Sequence, residues 1–367
     1  MLHKDRVERL AGELAKSGLD ALYIGPSTDA EYVADLELFN DERVKGLMIT
    51  RKGTIFAMVP LLYDEEMHAA LGSGVDYRVW ADHEGFQGAF RAGCEALGLI
   101  GGKIAINDGV RAVDLINMKN AVDFTYADGT ATLSPLRSRK DEMELGYMRR
   151  ASEIADQVME ELSKFIRVGM TEADVKQKLA ELFKASDADS ASFTPIVAAG
   201  PGASMPHYTR EDKVIEKGDF VVVDMGCRYK RYCSDMTRTF CMGEPDAEQR
   251  KIYETVLAAQ KAGEAAVKPG ATGQDVDRAA RRVIEDAGYG KFFLNRVGHG
   301  IGIAVHEEPY MIEGNAKPLE PGNVFSVEPG IYIAGKYGVR IENLVAVRPD
   351  GTGEALNKFT RDLIVIQ

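Results

Sequence analysis

Short apolar runs alternate with amphipathic stretches along the first third of the chain. Strand-like runs lie at residues 21–25 (ALYIG), 46–50, 54–59, 75–80 and 103–107, with helical patterns at 4–17, 84–97 and 111–120. Strands and helices that alternate at this spacing are typical of an α/β domain built on a mixed sheet. We therefore predict such a domain over residues 1–135.

The pattern changes where proline and charge interrupt it, in SPLRSRKDE at 134–142. A long amphipathic helix is predicted from Asp141, with an apolar stripe formed by Met143, Leu145, Met148, Ile154, Val158 and Leu162. A second helix is predicted from Thr171, because TEAD is a plausible N-cap sequence. Short strands, glycine turns and two more helices, at about 246–267 and 273–287, follow. This order predicts a second domain over 140–367, with helices packed on an antiparallel sheet.

Charge and composition narrow the classes of partner. The 367 residues carry a formal net charge of −12, which repels nucleic-acid phosphates and anionic lipid. No apolar run approaches the roughly 20 residues that a membrane span needs. The first 18 residues form a charged amphipathic pattern without an apolar signal core. We expect a cytoplasmic protein that binds neither nucleic acid nor membrane.

Three of the four cysteines, Cys227, Cys233 and Cys241, cluster in one short segment. Their spacing includes no Cys-x-x-Cys pair. We therefore expect these cysteines to be buried thiols and not ligands of a soft metal.

Two aspartates flank a predicted hairpin. The apolar run at 220–223 leads directly into Asp224, and Asp235 follows 11 residues later, after the polar turn GCRYKRY. If the two runs pair as antiparallel strands, both carboxylates come to one face of the sheet. Burial of a carboxylate costs several kcal/mol unless a positive or hydrogen-bonding group meets it.

A second predicted hairpin, NVFSVEPGIYIAGKYGVRIENLVAV at 323–347, repeats this arrangement. One strand ends in Glu328 and the returning strand carries Glu342. Two hairpins that each present two acidic groups suggest a sheet with approximate internal two-fold symmetry.

Three of the six histidines lie close to these hairpins in sequence. His299 stands among glycines in VGHGIGIAVHEEP (297–309), where the backbone can approach closely. His306 follows seven residues later, and His207 precedes the first hairpin in MPHY.

Each of these groups alone has an ordinary structural interpretation, as a turn aspartate, a loop histidine or a surface ion pair. Together the four carboxylates would repel one another and raise their own pKa values. Two divalent cations remove this repulsion, and carboxylates with one imidazole suit Mn²⁺, Co²⁺, Fe²⁺ or Zn²⁺. Such a pair of ions, about 3.5–4 Å apart, holds a hydroxide nucleophile and stabilises a developing oxyanion.

The motifs resemble those of the pita-bread metallopeptidases, which include Xaa-Pro dipeptidases (prolidases), Xaa-Pro aminopeptidases and methionine aminopeptidases. They are DMG (224–226), SDMTRTF (234–240), GHGIG (298–302), VHEEP (305–309), EPG (328–330) and VRIEN (339–343). The resemblance extends over nearly the whole chain. It implies a creatinase-like N-terminal domain and a pita-bread catalytic domain with a pseudo-two-fold antiparallel sheet.

The resemblance also implies roles for individual residues. The implied metal ligands are Asp224, Asp235, His299, Glu328 and Glu342, with Asp235 and Glu342 bridging both ions, most simply Mn²⁺. Glu328 would in addition move a proton to the leaving nitrogen. His207 and His306 would contact the substrate and the tetrahedral intermediate, and Arg340 would orient the acidic groups. The implied substrates are small peptides with proline second, cleaved by a homodimer.

Two departures from the family pattern concern Asn343 and Tyr310. Asn343 replaces the aspartate that usually ends RIED, which predicts tuning of the site without loss of metal. Tyr310 stands where some archaeal prolidases carry a basic residue that holds a dipeptide's free carboxylate. An Xaa-Pro aminopeptidase acting on longer peptides is therefore the alternative to a prolidase-like dipeptidase. A lyase on the same scaffold and an inactive interaction module are weaker alternatives.

Overall fold

The computed structural model describes residues 2–367, and the chain divides into two compact units, one up to Arg137 and one from Ser138 onward. The first unit contains a six-stranded sheet in the order β4-β3-β2-β1-β5-β6. Its strands are β1 (Ala21–Ile24), β2 (Gly46–Thr50), β3 (Ile55–Pro60), β4 (Asp76–Trp80), β5 (Lys103–Ile106) and β6 (Thr125–Asp128). The sheet is mixed, because β2 is antiparallel to β1 and β3 whereas the other pairs are parallel. The predicted α/β fold is confirmed.

Helices of the first unit connect these strands. They are α1 (Lys4–Lys16), α2 (Thr28–Ala34), α3 (Asp64–Leu71), α4 (Gln87–Ala96), α5 (Ala112–Ala121) and α6 (Thr130–Arg137). Helix α6 contains Pro135, where the sequence predicted an interruption. The burial of Leu133 and Leu136 offsets the backbone hydrogen bond that proline cannot donate.

The second unit begins with two helices whose starts the sequence predicted. Helix α7 (Glu142–Phe165) begins after a capping box at Asp141, and α8 (Glu172–Lys184) begins after one at Thr171. The predicted stripe of α7 is buried except for Met143, which is 55% exposed. Met143 lies about 200° around the helix axis from Leu145, so the two cannot face the same side.

Strands of the second unit form two larger sheets. The first, in the order β20-β12-β9-β8, contains β8 (Ile196–Ala199), β9 (Phe220–Met225), β12 (Met236–Met242) and β20 (Ile364–Ile366). The second, in the order β14-β13-β15-β18-β19, contains β13 (Gly298–Gly300), β14 (Glu307–Met311), β15 (Val324–Val327), β18 (Asn343–Val347) and β19 (Gly353–Ala355). All strand pairs of the second sheet are antiparallel. In the first sheet, β12 is parallel to β20.

Smaller elements complete this unit. A three-stranded sheet contains β7 (Ser190–Ala191), β10 (Cys227–Tyr229) and β11 (Tyr232–Cys233), and a ribbon contains β16 (Gly330–Ile333) and β17 (Tyr337–Arg340). Helices α9 (Ala247–Ala265) and α10 (Gly273–Asp286) also begin after capping boxes. Apolar residues of α9 and α10 share one core with β15 and β18, and those of α7 and α8 share another with β9 and β12.

The second predicted hairpin differs from the expectation in one respect. Strand β15 pairs with β18, and β16 pairs with β17. The pairing is interrupted at Glu328 and Pro329, the two residues that separate β15 from β16. Pro329 has no N–H to donate, which breaks the ladder. Glu342 therefore lies in the gap between β17 and β18 and is not part of a strand.

Candidate metal-binding active site

Asp224 lies near the end of β9, one of the two interior strands of the first sheet. Strand β9 pairs with β8 and β12, and Asp224 faces Thr237 across the β9–β12 pair. Arg340 Nη2 donates to Asp224 Oδ2 over 2.6 Å. Burial raises the pKa of Asp224, and the Arg340 guanidinium partly opposes this shift. Asp224 Oδ1 is buried without a hydrogen-bond partner.

Asp235 and Glu342 are brought together through Thr237. Asp235 precedes β12 and lies two residues before Thr237, so both side chains are on one face. Thr237 Oγ1 donates to Glu342 Oε2 over 2.6 Å, and the Glu342 amide donates to the Thr237 carbonyl over 3.1 Å. The sequence alone gave Thr237 no role, because its partner lies 105 residues away.

His299 is presented by a strand with almost no space around its backbone. A Cβ on Gly298 would lie 1.8 Å from the Ser326 carbonyl oxygen, and one on Gly300 would lie 2.4 Å from the Glu308 backbone. Only glycine permits this approach. The His299 amide donates to Ser326 Oγ, which in turn donates to Glu328 Oε1 over 2.9 Å. These contacts set the positions of both His299 and Glu328.

The imidazole of His299 has the orientation of a metal ligand. Its Nδ1 lies 3.1 Å from the Gly300 carbonyl oxygen, an acceptor that favours the proton on Nδ1. Nε2 then presents a lone pair 3.2 Å from Glu328 Oε1 and 3.7 Å from Asp235 Oδ2. Electron pairs facing one another at these distances call for a cation between them.

The buried carboxylates of Asp235 and Glu342 also favour a bound cation. Burial and the neighbouring carboxylates raise the pKa values of Asp235 and Glu342 well above their ordinary range. Asp235 Oδ1 and Glu342 Oε1 are buried without a hydrogen-bond partner. Ligand atoms of Asp235, His299 and Glu342 lie within 4.8 Å of one another. Unpaired buried oxygens of this kind are the donors that hard divalent cations need, so the residues fit a metal site.

A cavity of about 530 Å³ opens beside these groups. Eight of the nine predicted site residues line it: His207, Asp224, Asp235, His299, His306, Glu328, Arg340 and Glu342. Tyr310 is not in the lining. Cavities of roughly 300–1,000 Å³ accommodate small ligands, and apolar residues such as Phe193, Val305 and Ile312 complete this one.

His306 stands beside the candidate metal ligands, with its ring centroid 4.2 Å from that of His299. Desolvation at the cavity wall is the main cause that lowers the pKa of His306 to about 4. His306 is therefore neutral at pH 7 and has an N–H to donate.

Two polar residues of the cavity wall were not among the predicted site residues. Asn295 and Arg296 both line the cavity, and both lie just before the GHGIG motif. Their position within four residues of His299 was the available signal. The four cysteines are buried and none lines the cavity, in agreement with the preference for packing thiols.

Comparison with known proteins identifies the family. A model of metallopeptidase family M24 matches residues 146–349. The chain belongs to this family. It is 35% identical to the probable dipeptidase PepE of Mycobacterium tuberculosis, over 98% of this chain and 96% of that protein.

Solved structures of the family agree with this assignment over the whole chain. A dipeptidase from Pyrococcus horikoshii is 38% identical, with a TM-score of 0.93 over 98% of this chain and 100% of the other. A prolidase from Thermococcus sibiricus is 34% identical, with a TM-score of 0.95 over the full length of both chains. This M24 protein is thus a peptidase with the pita-bread fold, and its family implies use of a divalent metal. Within residues 2–367 no helix has the length and apolar character needed to cross a membrane.

Proposed function

We propose that this M24 peptidase is a two-metal Xaa-Pro dipeptidase, with Mn²⁺ as the ion. The proposal is carried by the convergence of four carboxylates and one imidazole, three of whose carboxylate oxygens are buried without partners. The residues that would hold the ions are Asp224, Asp235, His299, Glu328 and Glu342. When bound, the ions would supply a strong nucleophile at neutral pH and Lewis-acid stabilisation of negative charge.

The protein's own groups would handle the protons. An amide nitrogen of proline leaves only after it is protonated, and Glu328 is the carboxyl group positioned to exchange protons there. Its Oε1 accepts from Ser326 Oγ, which fixes its orientation. Arg340 would keep Asp224 ionised and in place while Glu328 changes protonation.

Histidines on the cavity wall would bind the reacting carbonyl. Neutral His306 would donate a hydrogen bond to the developing oxyanion, and His207 would contact the substrate from the turn that follows the 3₁₀ segment Gly200–Ser204. Removal of such a donor typically lowers kcat by about 10²–10³-fold.

The alternative is an Xaa-Pro aminopeptidase that accepts longer peptides. The observation in its favour is Tyr310, which replaces the basic residue expected of a carboxylate-binding dipeptidase. A homodimer and a cytoplasmic location remain predictions.

The test is hydrolysis by metal-reconstituted protein of Ala-Pro, Ala-Pro-Ala and Met-Ala. Turnover of Ala-Pro alone is the expected result. Turnover of Ala-Pro-Ala would favour the aminopeptidase, and hydrolysis of neither proline peptide with Mn²⁺ or Co²⁺ present would refute the proposal.

A further inference from the structure

Helix α10 carries a buried ion pair that lies outside the cavity. The side chain of Asp277 is fully buried, and Arg281, one turn further along the helix, donates to it from Nε over 2.7 Å and from Nη2 over 3.0 Å. The guanidinium carbon of Arg281 lies 4.1 Å from the centroid of the Phe293 ring. Neither member of the pair lines the cavity. A buried ion pair often contributes no more to stability than apolar residues of similar volume would. The other bonds of this pair indicate a role beyond the stability of α10.

The ion pair holds the backbone of residues 293–297, the segment that leads into the GHGIG motif. Arg281 Nη2 donates to the Asn295 carbonyl over 2.9 Å. The Val297 amide donates to Asp277 Oδ1 over 3.1 Å. This segment precedes β13, so side chains of the helix supply bonds that a neighbouring strand would supply within a sheet. The pair therefore fixes the segment from the side of α10.

Val297 connects the ion pair with two of the proposed metal-binding residues. Its carbonyl accepts from the Glu328 amide over 2.7 Å, and His299 follows two residues later. Its amide is shared between Asp277 and the Met311 carbonyl, which also lies 3.1 Å away, so the helix and strand β14 fix the same group. The side chain of Val297 is fully buried. A displacement of Val297 would therefore move the backbone of both His299 and Glu328.

We propose that this ion pair positions the 293–297 segment and, through it, His299 and Glu328 for metal binding. The inference rests on the metal-binding roles proposed above for these two residues. Both side chains of the pair lie outside the cavity lining, so they act through the backbone and are positioning residues. Metal ligands must be held within about 0.5 Å of their productive positions. Loss of the groups that orient them typically weakens metal binding about 10–100-fold. Helix α10 suits this purpose, because its apolar face is packed in the core that it shares with β15.

The test measures the affinity of the metal-free protein for Mn²⁺ by calorimetry. Arg281→Gln removes the donor to Asn295 and the charge that holds Asp277, and should raise the Kd for Mn²⁺ by about 10–100-fold. Arg281→Lys keeps the charge but lacks the planar fork, so it should raise the Kd by a smaller factor. A Kd equal to that of wild type in Arg281→Gln would overturn the inference.

Two controls lie on the same helix. Arg278→Gln alters an exposed arginine paired with Glu313 and should leave the Kd for Mn²⁺ unchanged. Thr272→Ala removes the N-cap of α10, which lowers the stability of the helix at its start. This variant should also bind Mn²⁺ as wild type does. An equal rise in Kd for Thr272→Ala and Arg281→Gln would mean that general destabilisation weakens metal binding, and the positioning role would be wrong.

Amide hydrogen exchange of the metal-free protein gives a second readout. In Arg281→Gln the amides of residues 295–299 should exchange about 10-fold faster relative to those of β9, as expected for the loss of hydrogen bonds to a charged group. Unchanged relative exchange would contradict the inference. If Arg281→Gln does not fold, the double variant Asp277→Val/Arg281→Met replaces the pair by apolar groups and is judged by the same two readouts.

The inference and the proposed function can fail separately. Both readouts use the metal-free protein with or without Mn²⁺, so they need no peptide substrate. Failure of wild type to hydrolyse proline peptides would refute the Xaa-Pro assignment and still leave the ion pair tested. Conversely, hydrolysis of Ala-Pro by wild type together with an unchanged Kd in Arg281→Gln would refute the positioning role alone.

Discussion

Arg340 and Asp224 form a buried ion pair, with Nη2 and Oδ2 2.6 Å apart and side chains that are 4% and 13% exposed. Arg340 Nε also donates to Thr237 Oγ1 over 3.0 Å, and Thr237 in turn donates to Glu342. One guanidinium therefore positions a carboxylate from the first sheet and, through Thr237, another from the gap between β17 and β18.

Replacement of Arg340 by lysine should destabilise the protein strongly. Lysine keeps the charge but lacks the planar fork, so Asp224 and Thr237 cannot both be held. Disruption of a buried pair costs about 3–5 kcal/mol when one partner is lost, and we expect about 2–4 kcal/mol for Arg340→Lys. Urea unfolding of the metal-free protein measures this difference. Arg278→Lys, at an exposed pair with Glu313, is the control and should leave the free energy of unfolding nearly unchanged. Equal effects at the two sites would contradict the positioning role.

Divalent metal should stabilise the folded protein. The unpaired oxygens of Asp224, Asp235 and Glu342 gain a partner when a cation binds. At a free ion concentration 100 times Kd, binding adds about 2.7 kcal/mol to the free energy of unfolding. Thermal unfolding in EDTA and in Mn²⁺ should show this rise for wild type and little of it for Asp235→Asn. Asp187→Asn, which alters an exposed residue paired with Arg150, should respond as wild type does. A Tm rise of equal size in Asp235→Asn would place the stabilising ion elsewhere.

Substitution of the two adjacent histidines should separate metal binding from catalysis. His299→Ala removes a proposed ligand and should weaken metal binding. His306→Ala should keep the metal content and lower kcat by about 10²–10³-fold, because it removes a donor to the oxyanion. Metal analysis after gel filtration, together with kinetics on Ala-Pro, distinguishes the two. Loss of metal from the His306→Ala protein would show that its proposed role is wrong.

Local sequence signals predicted the elements that carry the site, because these signals act over a few residues. Asp141 and Thr171 begin helices through capping boxes that can be read from adjacent residues. The glycines around His299 likewise indicated a close backbone approach, and the structure shows it. The family motifs gave the candidate ligands, and the chain's fold brings them to one cavity.

Other features depend on contacts that no local pattern encodes. Thr237 acquires its importance from its bond to Glu342, and the guanidinium of Arg296 lies over the ring of Tyr310 on strand β14. Helix α6 forms despite Pro135 because tertiary burial outweighs local preference. Such cases require the positions of distant residues, which periodicity does not provide.

Asn343 bridges an acid and a base in the core. Its Oδ1 accepts from Arg238 Nη2 and its Nδ2 donates to Glu264 Oε1, each over 2.9 Å. Asn343→Asp would keep the bond from Arg238 but would place a carboxylate against that of Glu264. We expect the free energy of unfolding to fall by about 1–3 kcal/mol at pH 7. Urea unfolding checks this loss. Adding Glu264→Gln should recover much of the lost stability. A double-mutant cycle that shows no coupling between positions 343 and 264 would contradict the expected repulsion.

Glu172 anchors the segment that carries His207. Its carboxylate accepts from the Ala199 amide over 2.8 Å, from Tyr208 Oη over 3.0 Å and from the Lys213 amide over 3.2 Å. The side chain is fully buried, and burial raises its pKa even though these donors oppose the shift. The fold therefore retains the Glu172 proton to a higher pH than the unfolded chain does.

Linkage between this proton and folding predicts a pH-dependent effect of Glu172→Gln. Between the unfolded pKa, about 4.3, and the raised folded pKa, the native state binds more protons than the unfolded state. The contribution of Glu172 is therefore fully present below the unfolded pKa and is lost as pH rises through the folded pKa. Glutamine does not titrate, so the stability of wild type relative to the variant should fall as pH rises from about 4 and then level off. Urea unfolding of both proteins at several pH values measures this difference. Tyr208→Phe removes a donor that stabilises the carboxylate, so the loss of stability should move to higher pH. If the stability of wild type relative to Glu172→Gln instead rose with pH, the hydrogen-bond donors would outweigh burial in setting the pKa of Glu172.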